Sequence, residues 1–183
     1  HSDIMNKYDP QKRVALVVDE WGIWTDVEPG TNPAFLYQQN SLRDALIAGI
    51  NLNIFNNHSD RVKMANLAQT VNVLQALVLT KGEQMLLTPT YYVFDLYKVH
   101  QDARKLNLSF TSPDYVVDGR KIPALSISAS IDSSGVTHIT LVNLHPTQAI
   151  ILRSTLPGIK WNAVTGQILT SEKLTDINSF NKP

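Results

Sequence analysis

Cysteine is absent from the 183 residues, which excludes disulfides, thiol nucleophiles and cysteine-bound metals together. An excess of either charge is absent too, since sixteen Lys and Arg balance sixteen Asp and Glu. Such a chain has no broad field to draw in nucleic acid or an anionic membrane surface. No apolar run approaches the ~20 residues that a membrane-spanning helix needs. There is no glycine-rich phosphate loop, no dinucleotide fingerprint, no internal repeat and no low-complexity tract. The N-terminus, His1-Ser2-Asp3-Ile4, lacks an initiator Met, a basic region and a signal-peptide core. It reads as a cut inside a longer protein and leaves the compartment open. These absences point to neutral partners such as sugars, other small molecules or proteins. They call for no nucleic acid, membrane, cofactor or metal.

What is present is a core-forming composition, 43% hydrophobic and 17% charged, enough for one domain or two small ones. The first half alternates strand and helix signals. Val14-Ala15-Leu16-Val17-Val18 is a short apolar run that suits a strand buried on both faces of a parallel sheet. A long loop follows, marked by Glu28-Pro29-Gly30 and Asn32-Pro33. Ser41-Leu42-Arg43-Asp44 is a capping-box variant, and it opens a helix whose Leu42, Leu46, Gly49, Ile50 and Asn53 share a face. Arg61 to Ala65 reads as a second strand, and Val71 to Leu79 as an apolar segment able to form a helix. Thr90 is expected to cap a further helix running to about Arg104.

The pattern changes near Asn107. Leu125, Ile127, Ala129 and Ile131 alternate with Ser126, Ser128 and Ser130, a period of two that predicts one buried face and one solvated serine face. Asp132-Ser133-Ser134-Gly135 is a turn, and Val136 to Leu144 returns as the second strand of a hairpin. Gln148 to Arg153 is predicted as another strand, with two more punctuated by Leu156-Pro157-Gly158 and Thr165-Gly166. This spacing indicates an antiparallel β-sandwich. The chain is therefore expected to be α/β plus all-β. Two βα units at residues 1–106 can neither close a barrel nor cover both faces of a parallel sheet. The first half is expected to need more chain than is present, and the end at Asn181-Lys182-Pro183 shows no clear finishing strand.

The sharpest chemical feature is Asp19-Glu20-Trp21-Gly22-Ile23-Trp24, where a buried strand runs into a loop. Strand C-terminal ends form the active site of α/β barrels. A carboxylate there can attack or stabilise an oxocarbenium-like centre, and an indole beside it offers a flat face to a sugar. Asp19 and Glu20 should point in opposite directions along a strand, so they do not form an acid–nucleophile pair. The local pattern alone slightly favours a blander alternative, with Glu20 a solvated strand end and Trp21 and Trp24 core residues. His58 and Asp60 supply two potential metal ligands without a third and read better as a polar helix-to-strand connection. His1, His100, His138 and His145 are scattered.

The segment from Val14 through Asp19-Glu20-Trp21 to Gln39 resembles the strand-seven segment of the glycoside hydrolase family 51 α-L-arabinofuranosidases. Asn51 to Phe55 and His58 to Val73 are similar to the eighth-strand segment, and Thr88 to Phe94 to the start of the last barrel helix. The resemblance is strong over about residues 1–105 and weaker beyond. It implies a partial TIM (β/α)8 barrel, with strands 7 and 8 and their helices in residues 1–106. On this reading a β-sandwich domain occupies 107–183 and is expected to be incomplete at its C-terminus. Carried over, it makes Glu20 the nucleophile, Trp24 an aromatic wall of the −1 subsite and Gln69 a hydrogen-bonding partner of the sugar there. The local alternative for Gln69 is a helix-start residue. Gly22 departs from the family, many of whose members have Asn at this point, and puts the fine loop geometry in question.

The implied reaction is retaining hydrolysis of terminal α-L-arabinofuranosyl groups from arabinose-containing oligo- or polysaccharides. It needs a second carboxyl, which in the family is a Glu following an Asn. No Asn-Glu pair occurs here, and Glu28, Glu83 and Glu172 sit in no such motif, so the acid/base is expected on the missing N-terminal barrel portion. A homo-oligomer is a further possibility. Three other readings stand beside this one. The second half could be a carbohydrate-binding module using Trp161 and Tyr115, or a purely structural module. The whole could also be a related barrel glycosidase such as an endoglucanase or xylosidase.

Overall fold

The computed structural model describes residues 1–155, 157–158 and 162–182. Among them are helices α1 (Ser2–Tyr8), α2 (Leu42–Asn57) and α3 (Pro89–Tyr97). The strands are β1 (Leu16–Trp21), β2 (Val62–Leu67), β3 (Val78–Lys81), β4 (Gln84–Leu87), β5 (Arg104–Lys105), β6 (Asp114–Val117), β7 (Arg120–Pro123), β8 (Leu125–Ile131) and β9 (Thr137–Asn143). The fold is mostly β with few helices.

β1 and β2 pair in parallel, with Leu16 opposite Val62 and Trp21 opposite Leu67. Parallel neighbours require a crossover, and α2 supplies it. Its start is set as the capping box predicts: the Asp44 carboxylate accepts from the Ser41 backbone N–H at 2.8 Å and from the Ser41 hydroxyl at 2.9 Å. The next two free amides, Leu42 and Arg43, donate to the carbonyls of Asp176 and Leu174, each at 3.0 Å. At the far end, buried Arg61 ties the N-terminal segment to the start of β2. Its guanidinium donates to the Asp9 carboxylate at 3.0 Å, Asn6 Oδ1 at 2.7 Å and the Val14 carbonyl at 2.8 Å.

The main core joins Leu42, Ala45 and Ala48 of α2 to Val93 of α3, with Trp21, Leu46, Leu52, Tyr97 and Leu169 packed around them. Alanines on the α2 face let α3 approach closely. A second cluster joins Ala76, Leu79 and Leu86 to Tyr37 and Phe180.

β1 is not buried on both faces as its apolar run suggests, since Val17 is 48% exposed. Four further expectations are corrected. Val71 to Leu79 forms no helix. Asn72 and Leu74 have φ of +59° and +51°, and the Asn72 side chain holds both the backbone N–H and hydroxyl of Thr80, each at 2.7 Å. β-branched Val71, Val73 and Val78 weaken the helical alternative, and Val78 opens the β3–β4 hairpin. The cap of α3 is Thr88 instead of Thr90, because Pro89 occupies the first helical position and holds its predecessor extended. The helix ends at Tyr97, and Arg104, where it was expected to stop, lies in β5 opposite Ile131 of β8. No strand forms over 148–155 or 162–170. Instead the Asn143 side chain donates to the Gln148 carbonyl at 2.8 Å, turning the chain after Pro146. The predicted hairpin itself is present as β8–β9, with β5 on the other edge of β8.

The last correction concerns the serine face, which is not solvated. Ser128 and Ser130 are buried, and α2 covers this face with amides. Asn53 Nδ2 donates to Ser126 Oγ and Asn56 Nδ2 to Ser128 Oγ, both at 3.1 Å. Asn53 Oδ1 meets the hydroxyls of Ser128 and Thr140 at 2.8 Å and that of Tyr97 at 3.0 Å. An amide oxygen has two lone pairs, so the Tyr97 proton has an alternative acceptor in the Gly49 carbonyl, also at 3.0 Å. Gly49 admits this approach: a Cβ there would lie 3.3 Å from the Tyr97 hydroxyl and 2.8 Å from Val142 Cγ2.

His100 closes the network, with Nδ1 2.7 Å from Ser130 Oγ and Nε2 3.1 Å from Thr140 Oγ1. No carboxylate is among those partners. Burial, with a smaller contribution from His138, pushes its pKa down from 6.5 to about 4. The unfolded chain therefore takes up a proton here below pH about 6.5, while the folded chain does so only near pH about 4. Stability should fall as pH drops through that window. Thermal unfolding between pH 4 and 7 should show a shallower decline for His100→Gln than for the wild type. Equal slopes would remove His100 as a source of the dependence.

Candidate active site

The parallel pair delivers its two C-terminal ends side by side, and the Ala68 N–H donates to the Trp21 carbonyl at 2.9 Å. Above this junction lies an open cleft of about 270 Å³, lined by Glu20, Trp21, Gly22, Ile23, Trp24, Ala68 and Leu74. Among the described residues, Glu20 is the one carboxylate in the lining. Asp19 is exposed and lies outside it, as strand alternation anticipates.

The two tryptophans part company. Trp21 is half-buried against the core, stacked on Phe94 at 6.1 Å between centroids and edge-on to Phe55 at 5.4 Å. Trp24 is 67% exposed and presents its indole at the cleft. The core alternative therefore fits Trp21 and fails for Trp24. A second hollow of about 210 Å³ between Tyr37, Leu79, Leu86 and Phe180 has no carboxylate in its lining.

Gln69 is exposed, one residue beyond Ala68, and is not in the lining. Its N–H donates to the Val73 carbonyl at 3.2 Å. It stands in a loop, so the helix-start alternative does not hold. Glu28, Glu83 and Glu172 are likewise outside the lining of the cleft. His58 forms the C-cap of α2, and Asp60 pairs with Lys12. Tyr115 is half-buried and packs edge-on against His145 at 5.3 Å, which is unlike an open sugar platform. Trp161 lies outside the described residues.

Two glutamines that no motif or spacing marks hold the loop after β1. The Ile23 N–H donates to Gln75 Oε1 at 2.8 Å. Gln38 Nε2 donates to the Ile23 carbonyl at 3.1 Å, and Gln38 Oε1 accepts from the Thr25 N–H at 3.0 Å. Gly22 reaches this arrangement with φ of +146°. A Cβ on it would lie 3.3 Å from Gln75 Oε1 and 3.4 Å from the Ala68 carbonyl oxygen. This is a backbone shape that few residues besides glycine adopt.

Comparison with known proteins gives a consistent result. Residues 19–183 match the family model described as the α-L-arabinofuranosidase C-terminal domain. The chain is 51% identical over 184 aligned residues to an intracellular exo-α-L-arabinofuranosidase of Bacteroides ovatus, covering 100% of this chain and 36% of that protein. Among solved structures, it is similar to the family GH51 arabinofuranosidase of Xanthomonas axonopodis pv. citri. The TM-score is 0.84 at 45% identity, covering 100% of this chain and 37% of that one. A family 51 α-L-arabinofuranosidase from Bifidobacterium longum matches with a TM-score of 0.71 at 25% identity, over 92% of this chain and 35% of its own. The chain thus spans about a third of the length of the relatives it matches.

The geometry at Gly22 predicts a specific sensitivity. Gly22→Ala should cost about 1–3 kcal/mol of stability through backbone strain and crowding, read as a lowered Tm. An unchanged Tm would mean that the loop does not require glycine here.

Proposed function

The chain belongs to the α-L-arabinofuranosidase C-terminal domain family, and from that premise we propose that it forms part of a retaining exo-acting glycosidase. Residues 1–106 are read as the last two βα units of a (β/α)8 barrel, and 107–183 as a β-sandwich domain packed against it. The substrate is a terminal α-L-arabinofuranosyl group on an arabinose-containing oligo- or polysaccharide. The observation that carries the reading is the shared cleft of Glu20 and exposed Trp24 at the C-terminal ends of two parallel strands.

In this mechanism Glu20, ionised, attacks the anomeric carbon and the glycosidic C–O bond breaks. A second carboxyl group, ~5–5.5 Å away in retaining enzymes, gives its proton to the leaving oxygen. That group then takes a proton from water, which attacks the anomeric carbon and releases Glu20. Retention follows from two displacements on opposite faces. Trp24 forms an apolar wall of the sugar pocket, and Gln69 hydrogen-bonds the sugar. Gln69 lies beside the cleft in the isolated chain, so this role needs the rest of the barrel to close the pocket around it. The acid/base is placed on that same remaining portion, because Glu20 has no partner carboxylate among the lining residues. The burial of the serine face against α2 supports a packing role for the second half.

Three measurements test this. Glu20→Gln in the full-length protein should lower turnover of an aryl α-L-arabinofuranoside by ~10³-fold or more with the fold intact; near-normal activity would remove Glu20 from the mechanism. Proton NMR of the first-formed product should show the starting anomeric configuration, whereas inversion would rule out the double displacement. The isolated chain should be inactive, and robust hydrolysis by it would show that the acid/base has been misplaced.

A further inference from the structure

We propose that Gln75, assisted by Gln38, is a positioning residue that fixes the two peptide planes flanking Ile23 and thereby sets Trp24 against Glu20 across the cleft. The inference rests on the functional reading above and extends it to residues that never touch the sugar.

Gln75 is fully buried and Gln38 is 1% exposed. A buried primary amide must find partners for both its oxygen and its nitrogen. Those of Gln75 come from three separate elements. Its oxygen accepts from the Ile23 N–H at 2.8 Å, and its nitrogen donates to the Asp44 carbonyl at 2.8 Å and to Thr90 Oγ1 at 3.2 Å. The loop is thus referenced to the first turn of α2 and the first turn of α3, both parts of the rigid core.

Gln38 grips the other side of the same residue, at the Ile23 carbonyl, and also holds the Thr25 N–H. Beyond Trp21 the chain has left the β1–β2 ladder. Side chains take over the role of a neighbouring strand, and both polar groups of Ile23 are held by them. Fixing the planes on either side of Ile23 limits the directions available to the Cα–Cβ bond of Trp24. Gly22, without a side chain, lets the loop lie on the Gln75 amide, where a Cβ would crowd its oxygen at 3.3 Å. Gln75 and Gln38 lie 52 and 15 residues from Ile23, so the clamp is tertiary and not a local turn.

Small displacements of reacting groups are costly: about 1 Å can reduce rate by ~10²-fold. Gln75→Met and Gln38→Met keep the approximate volume and remove the polar groups. In the full-length protein each should speed hydrogen–deuterium exchange in peptides spanning residues 22–26. Each should also lower kcat/KM on an aryl α-L-arabinofuranoside by about 10- to 100-fold. Val142→Ala, a destabilising change at the far side of α2, serves as the control for stability loss alone, assayed at the same interval below its Tm. Should Gln75→Met not fold, Gln38→Met carries the test, because Gln38 holds the same residue through its carbonyl, on the side of Trp24. Unchanged exchange over 22–26 overturns the proposal. So does faster exchange with kcat/KM no lower than that of the control. An inactive wild type with loosened variants instead overturns the functional reading on which the proposal rests.

Discussion

Helix α2 must satisfy two unlike surfaces at once, and the remainder of the structure depends on that requirement. One face carries Leu42, Ala45 and Ala48 against α3 and Trp21, where burial of apolar surface is the stabilising term. The other carries Asn53, Asn56 and Asn57 against the β8–β9 hairpin, where amides replace water for buried serines. The second surface gives geometric specification more than net stability, since a hydrogen bond made in the protein replaces one made to water. Its cost would appear if a partner were lost, because Ser128 and Asn53 have no access to solvent. Hydroxyls can turn to suit their neighbours, and Tyr97, Ser128 and Thr140 use that freedom around the single oxygen of Asn53.

The cleft inherits its rigidity from the same helix. The Asp44 carboxylate starts α2, while its carbonyl receives Gln75, and Gln75 reaches on to Ile23. Trp21 anchors the end of β1 between Phe55 and Phe94, one from α2 and one from α3. The exposed pair Glu20 and Trp24 therefore flanks residues that are locked from below. A flexible loop after a strand would leave the Trp24 indole free to sample many directions over the cleft.

Local signals in the sequence were legible where the chain interacts with itself nearby. The β-branched run before Asp19, the Ser41–Asp44 capping pair and the alternation around Ile127 each identify an element, and each element is present. Partners distant in sequence were not legible. Alternation separates the serines from the apolar side chains but says nothing of what either face meets, and the serine face meets amides in place of water. Val71 to Leu79 is apolar enough for a helix, yet Asn72 engages Thr80 in a way no periodicity encodes. The strand expected at Gln148 to Arg153 finds no neighbour to pair with among the described residues. For the candidate site, Asp19-Glu20-Trp21 was visible as a motif. Gln38 and Gln75 were not, because an ordinary amide acquires meaning only from the backbone it is folded against.

The strap that closes the first turn of α2 also bears on the order of events during synthesis. Leu42 donates to Asp176, a separation of 176 − 42 = 134 residues. Contacts of such long range form late, since the intervening chain must first be confined. As the chain emerges from the ribosome, the helix can form with Ser41 and Asp44 alone, and its first amides stay hydrated until the segment around Leu174 and Asp176 arrives. Completion of the helix start then marks the docking of the segment around Leu174 and Asp176 onto α2.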